Sequence, residues 1–134
     1  MGRKISLTKV AVKGEHAQRD YVFLSEGKTC ELCGNEAYCL DHVFSRTVRA
    51  LFFFRANLLR ICRKCHYLKT HNIRNFLLVV YDHIKQRDGD NIFDFMWKLA
   101  KKNAPFKEWC REYVEEKIDY YKTQTELLNS GYTK

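Results

Sequence analysis

Two Cys-x-x-Cys pairs, Cys30-Glu31-Leu32-Cys33 and Cys62-Arg63-Lys64-Cys65, constrain the fold of this chain more than any other feature. Two residues between thiolates let a tight turn aim both sulfurs at one ion, and two such knuckles complete a closed tetrahedral Zn²⁺ site. A closed site keeps no open position for water, so its work is structural: it clamps two segments that lie far apart in sequence. The clamp matters because a chain of 134 residues can build only a modest core. Cys39 and Cys110 fall outside the pattern and read as buried free thiols. Six cysteines would also suit a secreted disulfide framework. No segment reads as a signal peptide, so metal binding in a reducing cytosol is expected instead.

A second set of residues lies inside the loop that this clamp closes. Asp41-His42 falls on an expected strand, Asn57 just before the next one, and His66 directly after the last cysteine. Each has an ordinary explanation when taken alone. Asp41 could cap a turn, His42 could sit at the surface, Asn57 could form a turn and His66 could begin a helix. Their joint occurrence between two metal knuckles argues for a site.

Charge is concentrated in the same place. The formal net charge is +8, which suits a polyanionic partner without naming it. Between Asp41 and Asn75 the basic residues are Arg46, Arg49, Arg55, Arg60, Arg63, Lys64, Lys69 and Arg74, and Asp41 is the lone carboxylate. Carboxylates gather later, from Glu108 to Glu126. Arg46, Arg49, Arg55, Arg63, Lys64 and Lys69 are therefore candidate phosphate contacts, with Arg46, four residues past His42, the first choice. No membrane partner is expected, since the longest apolar runs, 50–54 and 76–81, are too short to cross a bilayer.

The periodicities give an α+β class. Residues 2–14 read as a basic flexible arm and 15–26 as a short helix ended by Gly27. Strands are expected over 37–43 and 58–62, with an aromatic connection holding Phe52, Phe53 and Phe54. Ile73, Phe76, Leu77, Val80, Tyr81 and Ile84 then trace a helix stopped at Asp88-Gly89. A further helix starts near Asn91 with Phe93, Met96, Trp97 and Ala100 inside. Pro105 stands where a long final helix would begin, and that helix closes near Gly131. The divisions are a basic arm and short helix over 1–27, a zinc-stapled core over 28–88, and a helical extension packed on the core over 89–134.

In order, His42, Asn57 and His66 spell H, N, H, and residues 30–70 resemble the zinc-bearing HNH (ββα-metal) nuclease motif of the recombination endonuclease VII family. The longer stretch 30–129 resembles the NinG (Rap) family of lambdoid phages, recombination nucleases acting on branched DNA. That likeness extends through Tyr81, the Lys-Gln-Arg-Asp-Gly turn, Trp97-Lys98-Leu99-Ala100-Lys101-Lys102 and Tyr120-Tyr121-Lys122. The resemblance implies a small zinc-bound ββα-metal core followed by a mainly helical region. It implies that Asp41 and His66 hold a catalytic divalent metal (Mg or Mn, or a later transition metal), that His42 is the general base, and that Asn57 fixes the loop and helps orient that base. Cys30, Cys33, Cys62 and Cys65 match the zinc ligands. Many zinc-bearing relatives carry Asn where His66 stands, and NinG proteins tend to carry Gly where Asp41 stands; both residues here are good metal ligands. The implied partner is branched DNA in a phage-infected host cytoplasm, with a homodimer by analogy to enzymes that cut paired strands of a junction. Against this stand a homing or restriction-type HNH nuclease, a non-catalytic zinc module that only binds nucleic acid, and a zinc-stabilised protein-interaction domain.

Overall fold

A computed structural model describes residues 5–102 and 104–131. The chain forms five α-helices and two short strands among these residues, an α+β arrangement that is mostly helical. It divides into two compact units, residues 28–106 and a second unit assembled from 1–27 and 107–134.

The unit of residues 28–106 begins with the first cysteine knuckle, closed by a bridge between Thr29 and Glu36. Strand β1 (Cys39–His42) pairs antiparallel with β2 (Leu58–Ile61), in the register Cys39 to Ile61 through His42 to Leu58. Helix α2 (Arg63–Thr70) follows β2 directly. The order strand, long loop, strand, helix matches the strands expected over 37–43 and 58–62. Two strands alone cannot bury both faces, and the helices supply the rest. Helix α3 (Phe76–Asp88) and helix α4 (Asp90–Lys102) form a hairpin turned at Gly89, whose φ of 95° suits glycine. Val80, Ile84, Phe93 and Met96 from that hairpin share one buried cluster with Phe44, Leu51, Leu59, Ile61, Cys62 and Cys65.

Two expectations are corrected here. The third helix does not start at Ile73: residues 73–75 form a 3-10 turn, and Asn72, Arg74 and Asn75 adopt left-handed backbone conformations that no α-helix continues through. The boundary expected at 88/89 falls at 106/107. Helix α4 belongs with the cysteine-bearing unit because Phe93 and Met96 complete its core.

In the second unit, helix α1 (Leu7–Glu26) is capped by Ser6, whose Oγ accepts the Lys9 N–H at 3.3 Å. The expected flexible arm is thus helical from Leu7, and residues 2–4 lie outside the described residues. Gly14 lies within this helix, buried with Val10, Ala11, Ala17, Gln18 and Val22. Helix α5 (Arg111–Asn129) packs against α1 through Val114 and Ile118. Gln18 Nε2 donates to Tyr121 Oη at 2.9 Å, and the Tyr21 and Tyr121 rings lie 5.7 Å apart. Pro105 does not open this helix, which starts six residues later; the first helical carbonyl to accept is that of Cys110, from the Val114 N–H. Cys110 is exposed and Cys39 half-buried, where both were expected to be buried. No helix among the described residues is long and apolar enough to cross a membrane.

Candidate functional site

The two knuckles are built by backbone hydrogen bonds. Cys30 N–H donates to Asn35 O at 2.7 Å and Gly34 N–H to Cys30 O at 3.0 Å, with Gly34 at φ 82° closing the turn. Cys62 stands at the N-terminus of α2, where its sulfur accepts the Cys65 N–H at 3.4 Å. Glu31 locks the first knuckle to the second strand: its N–H donates to Arg60 O at 3.0 Å, and its Oε2 accepts the Arg60 N–H at 2.7 Å.

The result is a convergence of Cys30, Cys33, Cys62 and Cys65, whose sulfurs all lie within 4.8 Å of one another. Cys33 and Cys62 approach to 3.4 Å. Tetrahedral thiolates at a Zn–S distance of ~2.3 Å stand about 3.8 Å apart, so the observed spacing suits zinc. The thiols also influence one another's charge. Burial opposes the Cys62 thiolate, but the Cys65 amide and the neighbouring thiols outweigh it and bring its pKa down to about 7. Burial and the same neighbours push Cys65 up.

Beside this cluster β1 presents Asp41 and His42, and both Asp41 and Lys69 stand close enough to His42 to influence its charge. Asp41 turns toward α2. Its Oδ1 is 3.7 Å from His66 Nε2, and its Oδ2 is 2.9 Å from Lys69 Nζ. That Oδ2 is buried and accepts no aligned hydrogen bond, so the Lys69 contact is an ion pair without a directed bond. His66 and Lys69 are three residues apart on one helical face. His66 Nδ1 in turn lies 2.9 Å from Tyr38 Oη.

His42 is buried, with Nε2 2.9 Å from the Phe52 carbonyl and its ring 5.0 Å from the Phe52 ring. A carbonyl oxygen can only accept, so Nε2 carries the proton and Nδ1 keeps the lone pair in the neutral ring. Burial, assisted by the nearby positive charge of Arg46, lowers the His42 pKa from its ordinary value and favours that neutral ring.

Asn57 is fully buried, and its side chain hydrogen-bonds to backbone. Its Oδ1 accepts the Phe44 N–H at 2.7 Å, and its Nδ2 donates to Phe44 O and Leu51 O, both at 3.1 Å. These bonds staple the two ends of the loop that carries Phe52, the partner of His42.

The basic residues divide sharply. Arg55 donates to Leu58 O at 2.7 Å and lies 3.9 Å from Glu31, and Lys69 is held by Asp41, so neither is presented as a phosphate contact in the way expected. Arg63 lies 4.6 Å over the Tyr38 ring and Arg49 5.6 Å over Phe52. Lys28, Tyr38, Arg63 and Lys64 line an open cleft of ≈ 480 Å³. Arg46 stands close enough to His42 to influence its charge.

Tyr38 and Glu31 were missed as site residues. Glu31 is nearly inaccessible and gathers Arg87 at 2.7 Å, His83 at 2.9 Å and Arg60 at 3.6 Å. Burial works against its charge, but hydrogen bonds from His83, the Arg60 backbone and Arg87 hold its carboxyl below the usual range. A carboxylate between two metal-ligand cysteines was the available signal. Among the described residues the four cysteines are the one group of three or more metal-ligating side chains; Asp41 and His66 form a pair without a third protein donor. No protein-family profile, curated protein or solved structure matches the chain.

Proposed function

We propose that this protein is a metal-dependent DNA endonuclease of the HNH type, with a structural zinc at the four cysteines, acting in phage recombination or on branched DNA. The observation that carries the reading is the pairing of two arrangements on one strand. Asp41 Oδ1 stands 3.7 Å from His66 Nε2, and next to it His42 is fixed by the Phe52 carbonyl with Nδ1 free to take a proton.

Donor atoms 3.7 Å apart can both reach a Mg²⁺ or Mn²⁺ ion at roughly 2.0–2.2 Å. Asp41 Oδ2 is paired with the Lys69 ammonium at 2.9 Å, which leaves Oδ1, on the His66 side, as the oxygen offered to a cation. Asp41 and His66 would hold the ion, which when bound supplies charge relief to the scissile phosphate as a Lewis acid. His42 Nδ1 removes a proton from the attacking water, and its buried ring is already neutral for that task. The water oxygen bonds to phosphorus, the bond from phosphorus to the 3′ oxygen breaks, and that oxygen takes a proton from solvent. The products are 5′-phosphate and 3′-hydroxyl ends. Asn57 acts through the loop, by keeping the Phe52 carbonyl where it orients His42. Arg46 and, in the cleft, Arg63 and Lys64 supply positive potential along which a strand can lie, Lys28 there being paired with Glu36 at 3.2 Å. A homodimer would offer two such sites to the paired strands of a junction.

The test is His42→Ala assayed on supercoiled plasmid with Mg²⁺ or Mn²⁺. Cleavage is expected to fall by about 10²–10⁴-fold, while zinc content and DNA affinity persist. If the wild-type protein binds DNA in a salt-dependent way yet cuts neither plasmid, single strands nor junctions, the protein is a non-catalytic zinc module and the enzyme reading fails. Comparing linear duplex, flap and four-way junction substrates separates a recombination nuclease from a homing or restriction type.

A further inference from the structure

Tyr38 lies outside the residues that the motif marks, yet it is bonded to one of them. Its hydroxyl is 2.9 Å from His66 Nδ1, with the two rings edge-on at 74° and 5.6 Å apart. The residue is held in place from two sides. Its backbone N–H donates to Ile61 O at 3.0 Å, just ahead of β1, and the Arg63 guanidinium covers its ring at 4.6 Å. Tyr38 is thus anchored as a partner for the imidazole.

A neutral imidazole carries one N–H. Were that proton on Nε2, it would point at the Asp41 carboxylate, and a charge-assisted hydrogen bond near 2.8 Å would be expected. The observed separation is 3.7 Å, beyond hydrogen-bonding reach. The hydrogen bond His66 does make is on Nδ1. We propose that Tyr38 is the positioning residue for His66: its oxygen accepts the Nδ1 proton and leaves the Nε2 lone pair beside Asp41 Oδ1, a two-donor seat for a hard divalent cation. A histidine that binds metal generally donates its other N–H to a fixed partner, and loss of that partner weakens affinity by about 10–100-fold. The proposal rests on the nuclease reading above, since it takes Asp41 and His66 as the ligands.

The experiment uses the zinc-loaded protein and its Tyr38→Phe and Asp41→Asn variants. Mn²⁺ binding is followed by electron paramagnetic resonance, and the His66 tautomer by long-range ¹H–¹⁵N correlation in the absence of Mn²⁺. Wild type is expected to hold the Nδ1–H tautomer. Tyr38→Phe is expected to lose that preference and to bind Mn²⁺ at least about 10-fold more weakly, with zinc content and melting temperature unchanged. Mn²⁺ binding that Asp41→Asn abolishes and Tyr38→Phe leaves intact overturns this proposal alone. An absence of Mn²⁺ binding by the wild-type protein overturns the nuclease reading and the proposal with it.

Discussion

Deleting the carboxamide of Asn57 would leave the Phe44 N–H and the carbonyls of Phe44 and Leu51 without their partners in a region closed to water. Each buried polar group stranded in this way costs ~1–3 kcal/mol. Asn57→Ala is therefore expected to destabilise the protein by about 3 kcal/mol, read from urea denaturation midpoints. On the proposed nuclease reading, cleavage should fall with it even where the fold persists, because the loop sets the His42 partner. A variant of wild-type stability would show that the loop does not depend on these bonds. The sequence order marks Asn57 between His42 and His66 and the resemblance implies that it fixes the loop, while the backbone groups of Phe44 and Leu51 that it bonds are visible only in the structure. His42 was equally legible as a residue, while its tautomer was not: a carbonyl ten residues away decides it. Tyr38 escaped notice because a lone tyrosine before a strand carries no pattern.

At the scale of elements, the helix pair α1 and α5 offers a pH test. Burial raises the Tyr121 pKa to about 12, against ~10 in an unfolded chain. Between those values the unfolded state gives up the proton first, so the folded state binds more protons and stability falls as pH rises. The contribution is fully present below about pH 10 and is lost as pH climbs toward 12. Circular dichroism in urea at pH 9 and 11 should show a larger alkaline loss for wild type than for Tyr121→Phe; equal losses would refute the assignment. At neutral pH the variant should be weaker by roughly 1 kcal/mol, for the bond from the buried Gln18 amide. Among the helices, α4 was the most legible, since Phe93 and Met96 repeat cleanly. Helix α1 was read too short because residues 7–14 are basic and carry little apolar period, and only packing against α5 shows that Val10, Ala11 and Gly14 are buried. Pro105 misled for another reason: it fits a first helical position but does not compel one.

At the scale of the whole molecule, the unit of residues 28–106 should depend on its metal. Removing zinc with a strong chelator is expected to lower the melting temperature of this unit by at least about 10 °C and to erase the near-ultraviolet signal of its aromatic cluster. Phe44, Tyr81, Phe93 and Trp97 make that cluster, with centroids 5.2–6.1 Å apart. An unchanged melting curve with the metal shown to be gone would remove the structural role. The cysteine spacing by itself determined the four-sulfur cluster, because two short turns leave four sulfurs few other places to meet. The alternation and helical periods determined the two strands and the α3–α4 hairpin, since both are local properties of neighbouring residues. Tertiary structure alone decided the rest. The gathering of His83 and Arg87 on Glu31, the Tyr38–His66 bond, the withdrawal of Arg55 and Lys69 into ion pairs, and the grouping of α1 with α5 all join residues far apart along the chain. No local periodicity encodes such meetings; they follow from which apolar faces bury one another and which charges are then brought within reach.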